Sequence, residues 1–207
     1  MPNLWEKYAV PRLIRFACSQ PAVMKDRSKI VPRADGAVLE LGCGGGINLQ
    51  FYDRSRVTSL TGLDPSAELL DYTRREASER GFAMEIIDGI GEAMPFADAS
   101  FDTVLTTFTL CSVQDGAQVL SEMRRVLKPG GKILFLEHGR APDKGPEKWQ
   151  QRIEPLWKYI AGGCHLHRPV SKLFEAGGFA LADSHGHYAP KTPRWLGWME
   201  SGEARPL

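Results

Sequence analysis

The sequence has no apolar run near the roughly 20 residues that a membrane-spanning helix needs, and it has no internal repeat or low-complexity tract. Its opening, Met1-Pro2-Asn3-Leu4-Trp5-Glu6-Lys7, lacks the basic-then-apolar order of a signal peptide. It also lacks a charge excess: 26 basic residues face 25 acidic ones, for a formal net charge of +1. A nucleic-acid partner is therefore not expected, because such binders usually carry a clear basic surplus. The four cysteines (Cys18, Cys43, Cys111 and Cys164) include no CxxC pair and show no disulfide framework, which suits a reducing compartment. A cytoplasmic protein with no transmembrane segment is expected. Cys164-His165-Leu166-His167 offers metal-binding side-chain types. Adjacent ligands strain the geometry and no second cluster follows, so no metal is expected.

What is present is length and patterning for one α/β core. A chain of 207 residues, 43% of them hydrophobic, can cover both faces of a central sheet. Residues 3–30 mix aromatic and basic side chains and read as one or two helices. Strands are expected at Val38–Leu41, Ser59–Asp64, Met84–Asp88, Asp102–Thr107 and Lys132–Glu137, and two further strands near Leu181–His187 and Trp195–Glu200. Between them lie a short helix at Ile47–Tyr52 and longer ones at Ala67–Gly81, Ala117–Leu127 and Ser171–Ala176. Gly81 supplies a stop, and Pro129-Gly130-Gly131 a sharp break. Alternating strands and helices joined by short links imply right-handed parallel βαβ units. The fold expected is α/β: a doubly wound, mostly parallel seven-stranded Rossmann-like sheet with helices on both faces. It divides into an N-terminal helical cap (1–35), a cofactor-binding core (36–138) and an acceptor-side segment with the C-terminal strands (139–207).

The strongest motif is Glu40-Leu41-Gly42-Cys43-Gly44-Gly45-Gly46, at the end of a strand and the start of a helix. Ligands of open α/β sheets bind there, outside the carboxyl ends of the strands. Glycines let the backbone turn sharply and approach a ligand. The spacing is Gly-x-Gly-x-Gly; a dinucleotide fold more often shows Gly-x-Gly-x-x-Gly, and Ile47 holds that third position. Asp64 ends the second strand, where a carboxylate can accept from both hydroxyls of a ribose. That serves adenosine in either cofactor class. A nicotinamide-dependent oxidoreductase and a non-catalytic cofactor-binding protein therefore remain open alternatives.

Three blocks sharpen the choice: Val38–Gly46; Gly62-Leu63-Asp64-Pro65-Ser66; and Gly91-Glu92-Ala93-Met94-Pro95-Phe96 leading to Ser100-Phe101-Asp102. Val126-Leu127-Lys128-Pro129-Gly130-Gly131 completes them. Together they resemble the class I S-adenosylmethionine-dependent methyltransferases, in particular the set that includes the ubiquinone and menaquinone biosynthesis enzymes. A narrower likeness runs through Leu110-Cys111-Ser112-Val113, Leu136-Glu137-His138, Trp149-Gln150-Gln151, Trp157-Lys158 and Gly162-Gly163-Cys164-His165-Leu166. These are similar to the animal thiol S-methyltransferases of the methyltransferase-like-seven group. Those enzymes carry an N-terminal membrane anchor, and the opening residues here show no such pattern.

The resemblance implies S-adenosylmethionine as cofactor and a role for each matching residue. Glu40 would orient the glycine loop or the methionine end of the cofactor, and Gly42, Cys43 and Gly44 would pass nearest to it. Asp64 would hold the ribose, with Pro65 and Ser66 beside the adenosine. Gly91 and Glu92 would line the adenine, and Thr106 would offer a backbone carbonyl to the cofactor amino group. Tyr8 and Asn48 are candidates for the cofactor carboxylate; Tyr8 reads equally well as a packing aromatic. Many relatives have Asp where this chain has Ile90, so an apolar wall must serve the adenine here.

A sulfonium methyl is already activated, so the protein's task is alignment and exclusion of water. A thiol ionises enough near neutrality to need little help, whereas a phenol or carbon acid needs a base. His138, at the end of the fifth strand, is the candidate base. Trp149 and Trp157 lie eight positions apart, about two helical turns, and could share a face over the acceptor. Together with His165 and His167 they are the candidate walls of an acceptor pocket. The partner expected is a small, apolar molecule, with a thiol first and a phenol or ring carbon next.

Overall fold

The computed structural model describes residues 9–207. Seven strands form one sheet: β1 (Gly36–Leu41), β2 (Val57–Asp64), β3 (Met84–Asp88), β4 (Phe101–Thr107), β5 (Leu127–His138), β6 (Phe179–Tyr188) and β7 (Trp198–Pro206). Their spatial order is β3-β2-β1-β4-β5-β7-β6. The first five run parallel, and β7 pairs antiparallel with both β5 and β6. The order reverses between β1 and β4, the place where ligands bind in such sheets. The helices are α1 (Val10–Cys18), α2 (Pro21–Ile30), α3 (Ala67–Glu79), α4 (Gly116–Val126), α5 (Lys144–Ile160) and α6 (Val170–Ala176).

The central strands are apolar on both faces because helices cover both. Neighbouring residues divide between two cores. Leu39, Val104 and Ile133 face α4 and α6 through Val119, Leu120, Met123 and Phe174. Val38, Leu105 and Leu134, one residue away, face the other layer, which includes Ile30, Tyr52 and Ala77. Caps set two helix starts: the Ser66 hydroxyl accepts from the Leu69 amide at 3.4 Å, and the Asp115 carboxylate from Gln118 at 3.0 Å.

The expected seven-stranded, mostly parallel sheet is present, with local differences. The short helix after β1 is a 3₁₀ turn, Ile47–Gln50. Pro129-Gly130-Gly131 does not separate α4 from β5; the strand begins at Leu127, and the register shift against β4 absorbs the turn. The last strand starts later and runs longer than expected, to Pro206, because it is flanked on both sides, with Met199 to Ala204 paired to β5 and β6 pairing as far as Pro206. A helix joins residues 144–160 despite Pro155.

Candidate cofactor site

The glycine loop leaves β1 and folds back on the end of β2. The amides of Gly42 and Cys43 donate to the Leu63 carbonyl at 2.8 and 3.3 Å. Asp64 ties the loop from the other side: one carboxylate oxygen accepts from the Gly44 amide and the other from Ser66, each at 2.9 Å. Burial pushes the Asp64 carboxyl up, and these two amides oppose that shift. Two glycines are there for different reasons. At Gly42 (φ +69°) a Cβ would run into the Thr109 side chain. At Gly44 (φ +53°) a Cβ would meet only the Gly42 carbonyl oxygen, 3.8 Å away, so this backbone opens directly onto free space.

That space is a cavity of about 550 Å³ at the carboxyl end of the sheet. Its walls change in character along its length. At one end Arg27 from α2 is almost fully buried, with Nη1 donating to Asn48 Oδ1 at 2.6 Å and Thr107 Oγ1 at 2.7 Å. Its Nε has no partner among the described residues, and Arg15 from α1 lines the same cavity. Asp64 and Ser66 follow, and then an apolar wall that includes Leu63, Ile90 and Val113. The α1 residues Val10, Pro11 and Ile14 supply further lining. A buried cation with an unsatisfied N–H suits a carboxylate, Asp64 suits a diol, and the apolar wall suits a flat ring. Those are the parts of S-adenosylmethionine, so the residues present fit that cofactor.

Glu40 and Asn48 stand behind the loop. Asn48 Nδ2 donates to Glu40 Oε1 at 2.8 Å, and the Tyr52 hydroxyl donates to Glu40 Oε2 at 2.8 Å. Burial pushes the Glu40 carboxyl up to about 7 against these bonds and the Arg27 charge. Burial, with Glu40 and Asp64 nearby, likewise pushes the Cys43 thiol up, so it packs as a neutral side chain. Glu92 Oε1 accepts from the amides of Gln114 and Asp115 at 2.9 and 3.3 Å, fixing the loop before α4.

Of the residues read from the sequence as cofactor contacts, Glu40, Gly42, Cys43, Gly44, Asn48, Asp64, Pro65, Ser66, Gly91 and Glu92 line this cavity. Tyr8 lies outside the described residues. Thr106 does not line it: its backbone is paired with β1 and β5, and its hydroxyl donates to Glu137 Oε1 at 2.8 Å on the opposite face. Thr107, Phe108 and Thr109 line the cavity instead. Phe108 holds φ +57° as the chain leaves β4.

The candidate acceptor-side residues also lie off the cavity wall. His138 is buried in the sheet opposite Met199; its Nδ1 is 3.9 Å from Cys164 Sγ, and its Nε2 has no partner among the described residues. Trp149 is 55% exposed, with the Arg152 guanidinium over its ring, so it faces outward. Trp157, on another side of α5, packs edge-on against Trp195, with ring centroids 6.2 Å apart. His165 Nδ1 is 3.0 Å from Glu154 Oε1, and His167 pairs with Glu154 Oε2. Burial pushes the Glu154 carboxyl up, but His167 and then His165 more than offset it and leave it below its usual range. These histidines hold α5 to the loop after it. Among the described residues, no group of three or more His, Cys, Asp or Glu side chains converges as a metal site.

Arg27 and Glu137 are among the functional residues that the sequence reading missed, with Arg15, Thr107, Phe108 and Thr109. Val23, Arg27 and Ile30 fall on one helical stripe and are all buried, so a cation within an apolar stripe was the available signal. Glu137 accepts from the amides of Thr109 at 3.1 Å and Cys111 at 3.4 Å, which orders the cavity-lining turn after β4. Burial pushes its carboxyl up to about 7.

Residues 39–135 match the family described as methyltransferase domain. Over 165 residues the chain is 43% identical to the human thiol S-methyltransferase TMT1B, an alignment that covers 77% of this chain and 66% of that protein. The rat protein of the same name is 40% identical with 65% covered, so the chain spans just under two thirds of these relatives. It is 30% identical to the demethylmenaquinone methyltransferase of Thermus thermophilus over 151 residues, 70% of this chain and 68% of that one. A solved SAM-dependent methyltransferase from Aquifex aeolicus has the same fold, with a TM-score of 0.67 over 95% of this chain and 98% of that chain at 15% identity. These findings set aside the nicotinamide alternative. The cavity's chemistry and these likenesses lead to one conclusion: the chain belongs to the class I S-adenosylmethionine-dependent methyltransferases.

Proposed function

We propose that the protein transfers a methyl group from S-adenosylmethionine to a small, apolar thiol. The observation that carries this reading is the lining of the cavity. Val10, Ile14, Phe108 and Val113 give it apolar walls, and no histidine lines it among the described residues. A thiol suits such a site because its anion forms in water near neutrality, whereas a phenol or ring carbon asks for a placed base. The thiol S-methyltransferase names of two similar relatives support the same acceptor class. The bound cofactor supplies a methyl group on a positively charged sulfur. The chain's part is to bind and align: Arg27 and Arg15 at the carboxylate end, Asp64 at the ribose, and α1 excluding water from the reacting atoms. The acceptor sulfur forms its bond to the methyl carbon as the bond to the cofactor sulfur breaks, and the thiol proton leaves to solvent beforehand.

The near-zero net charge supports a small-molecule acceptor over a nucleic acid. Four unpaired cysteines support a cytoplasmic setting. No helix among the described residues is long and apolar enough to cross a membrane. The test is release of S-adenosylhomocysteine with an alkyl thiol, a phenol and a quinol offered separately. Turnover of the thiol, rising with pH as it ionises, is expected. Turnover of the phenol or quinol alone would move the acceptor to oxygen or carbon, and turnover with none would leave a cofactor-binding protein.

A further inference from the structure

Three cysteines gather on the α5 side of the cavity, and the methyl-transfer reading uses none of them. Cys111 sits in the turn after β4 and is buried; Cys164 follows α5 and is half-buried; Cys18 closes α1. Two backbone contacts lash the first two segments together. The His165 amide donates to the Cys111 carbonyl at 2.7 Å, and the Arg168 guanidinium donates to the Leu110 carbonyl. The residue beside Cys111, Ser112, and the residue two before Cys164, Gly162, both line the cavity. His138 Nδ1 stands 3.9 Å from Cys164 Sγ.

We propose that Cys111 and Cys164 are a redox-active dithiol at the cavity wall, which a small hydroperoxide oxidises to a disulfide joining the loop after α5 to the turn after β4. The inference does not depend on the identity of the methyl acceptor.

The surroundings divide the labour between the two sulfurs. The Cys111 thiol donates toward Cys164 and, with His138, holds the Cys164 thiol well below its usual range despite burial. The same contact, together with burial, holds Cys111 well above its usual range. Cys164, the less buried of the two and 3.9 Å from His138 Nδ1, is thus the attacking thiolate, and the buried Cys111 is the thiol that resolves the product. The Trp157 indole N–H, another neighbour of Cys164, is buried with no hydrogen-bond partner among the described residues. A charged sulfur would give that donor an acceptor, which a neutral thiol does poorly.

The chemistry balances. The Cys164 thiolate attacks one peroxide oxygen, the O–O bond breaks, and the departing hydroxide takes a proton and leaves as water. The Cys111 sulfur then displaces hydroxyl from the Cys164 sulfenic acid and loses its own proton, releasing a second water. Two thiols and one hydrogen peroxide give one disulfide and two waters; an organic hydroperoxide gives its alcohol in place of the first water. An excess of small thiol reverses the bond by exchange.

The test treats the full chain with hydrogen peroxide at near-stoichiometric ratio, blocks the remaining thiols under denaturing conditions, and maps the peptides by mass. Loss of two of the four free thiols is expected, with a Cys111–Cys164 cross-link that a phosphine reductant removes. Cys111→Ser should stop at a Cys164 sulfenic acid, trapped by a dimedone probe. Cys18→Ser should leave the cross-link in place. A link from Cys164 to Cys18, or an unmodified Cys164 while other cysteines oxidise, would overturn the assignment. The mapping on the unaltered chain decides the matter even if a variant fails to fold.

Discussion

The loop after β1 and the loop after α5 follow opposite rules. Residues 42–46 carry almost no side chain, and their backbone faces the cavity, held from behind by Asp64, Leu63 and Thr73. Residues 164–168 carry Cys, His, Leu, His and Arg; Leu166 is buried, and the other four are spent on Cys111, Glu154 and Leu110. The first loop is a binding surface because of what it leaves out. The second is rich in reactive side chains, yet they face away from the cavity, where they hold two segments together and set Cys164 beside Cys111. Chemistry-bearing residue types thus belong to the cofactor site only when the fold turns them toward its cavity.

Four measurements break or sharpen that contrast. The largest effect is expected for Gly44→Val, which puts a branched side chain into the open space of the first loop at a backbone angle of +53°. Calorimetry should show cofactor affinity reduced at least about 100-fold, with the circular dichroism spectrum retained. Unchanged affinity would mean the loop faces no ligand.

Arg27→Met comes next. It removes the buried cation and should cost about 2–4 kcal/mol of cofactor binding, as lost charged hydrogen bonds do. Arg27→Lys should recover part of this. If affinity stays constant while the melting temperature falls, the guanidinium is structural only.

Glu40 gives a third, smaller effect, read in stability rather than binding. Its folded value of about 7 lies above its ordinary 4.5. The folded chain therefore holds this proton more tightly than the unfolded chain does. The stability that results is complete below pH 4.5 and is lost as pH rises through about 7. Glu40→Gln removes the titration. Denaturant melts at pH 5 and pH 8 should show the unaltered chain losing roughly 2 kcal/mol more than the variant across that interval. Parallel pH profiles would show that Glu40 does not titrate in this window.

The smallest effect belongs to the second region. Trp149→Ala should change kcat/KM for a thiol by less than about twofold, since the ring faces solvent. A loss of about tenfold or more would bring α5 to the acceptor after all.

The same contrast explains what could be read in advance. Strand positions followed from apolar runs such as Val38–Leu41, and the switch point followed from the strand–glycine–strand–acid order, because both depend on backbone and burial. Asp64 was legible because it ends a strand. Thr106 still lies within the paired part of β4, and the cavity wall begins one residue later, at Thr107. His138 is read from its place at the end of the fifth strand, and His165 and His167 from residue type, and neither signal says which way an imidazole turns. The helical stripe through Val23, Arg27 and Ile30 held the missing information about the buried cation.

The sheet order has a consequence for how the chain is made. Strand β7 is the last in sequence, yet it lies inside the sheet, between β5 and β6. During synthesis from the N-terminus, β1 to β5 are complete while β5 still presents an open edge, and that edge waits until Trp198–Pro206 leaves the ribosome. Nascent chains halted just before residue 198 should accordingly expose the richly apolar β5 edge and engage chaperones or one another. Release of the final strand closes that edge in a single step.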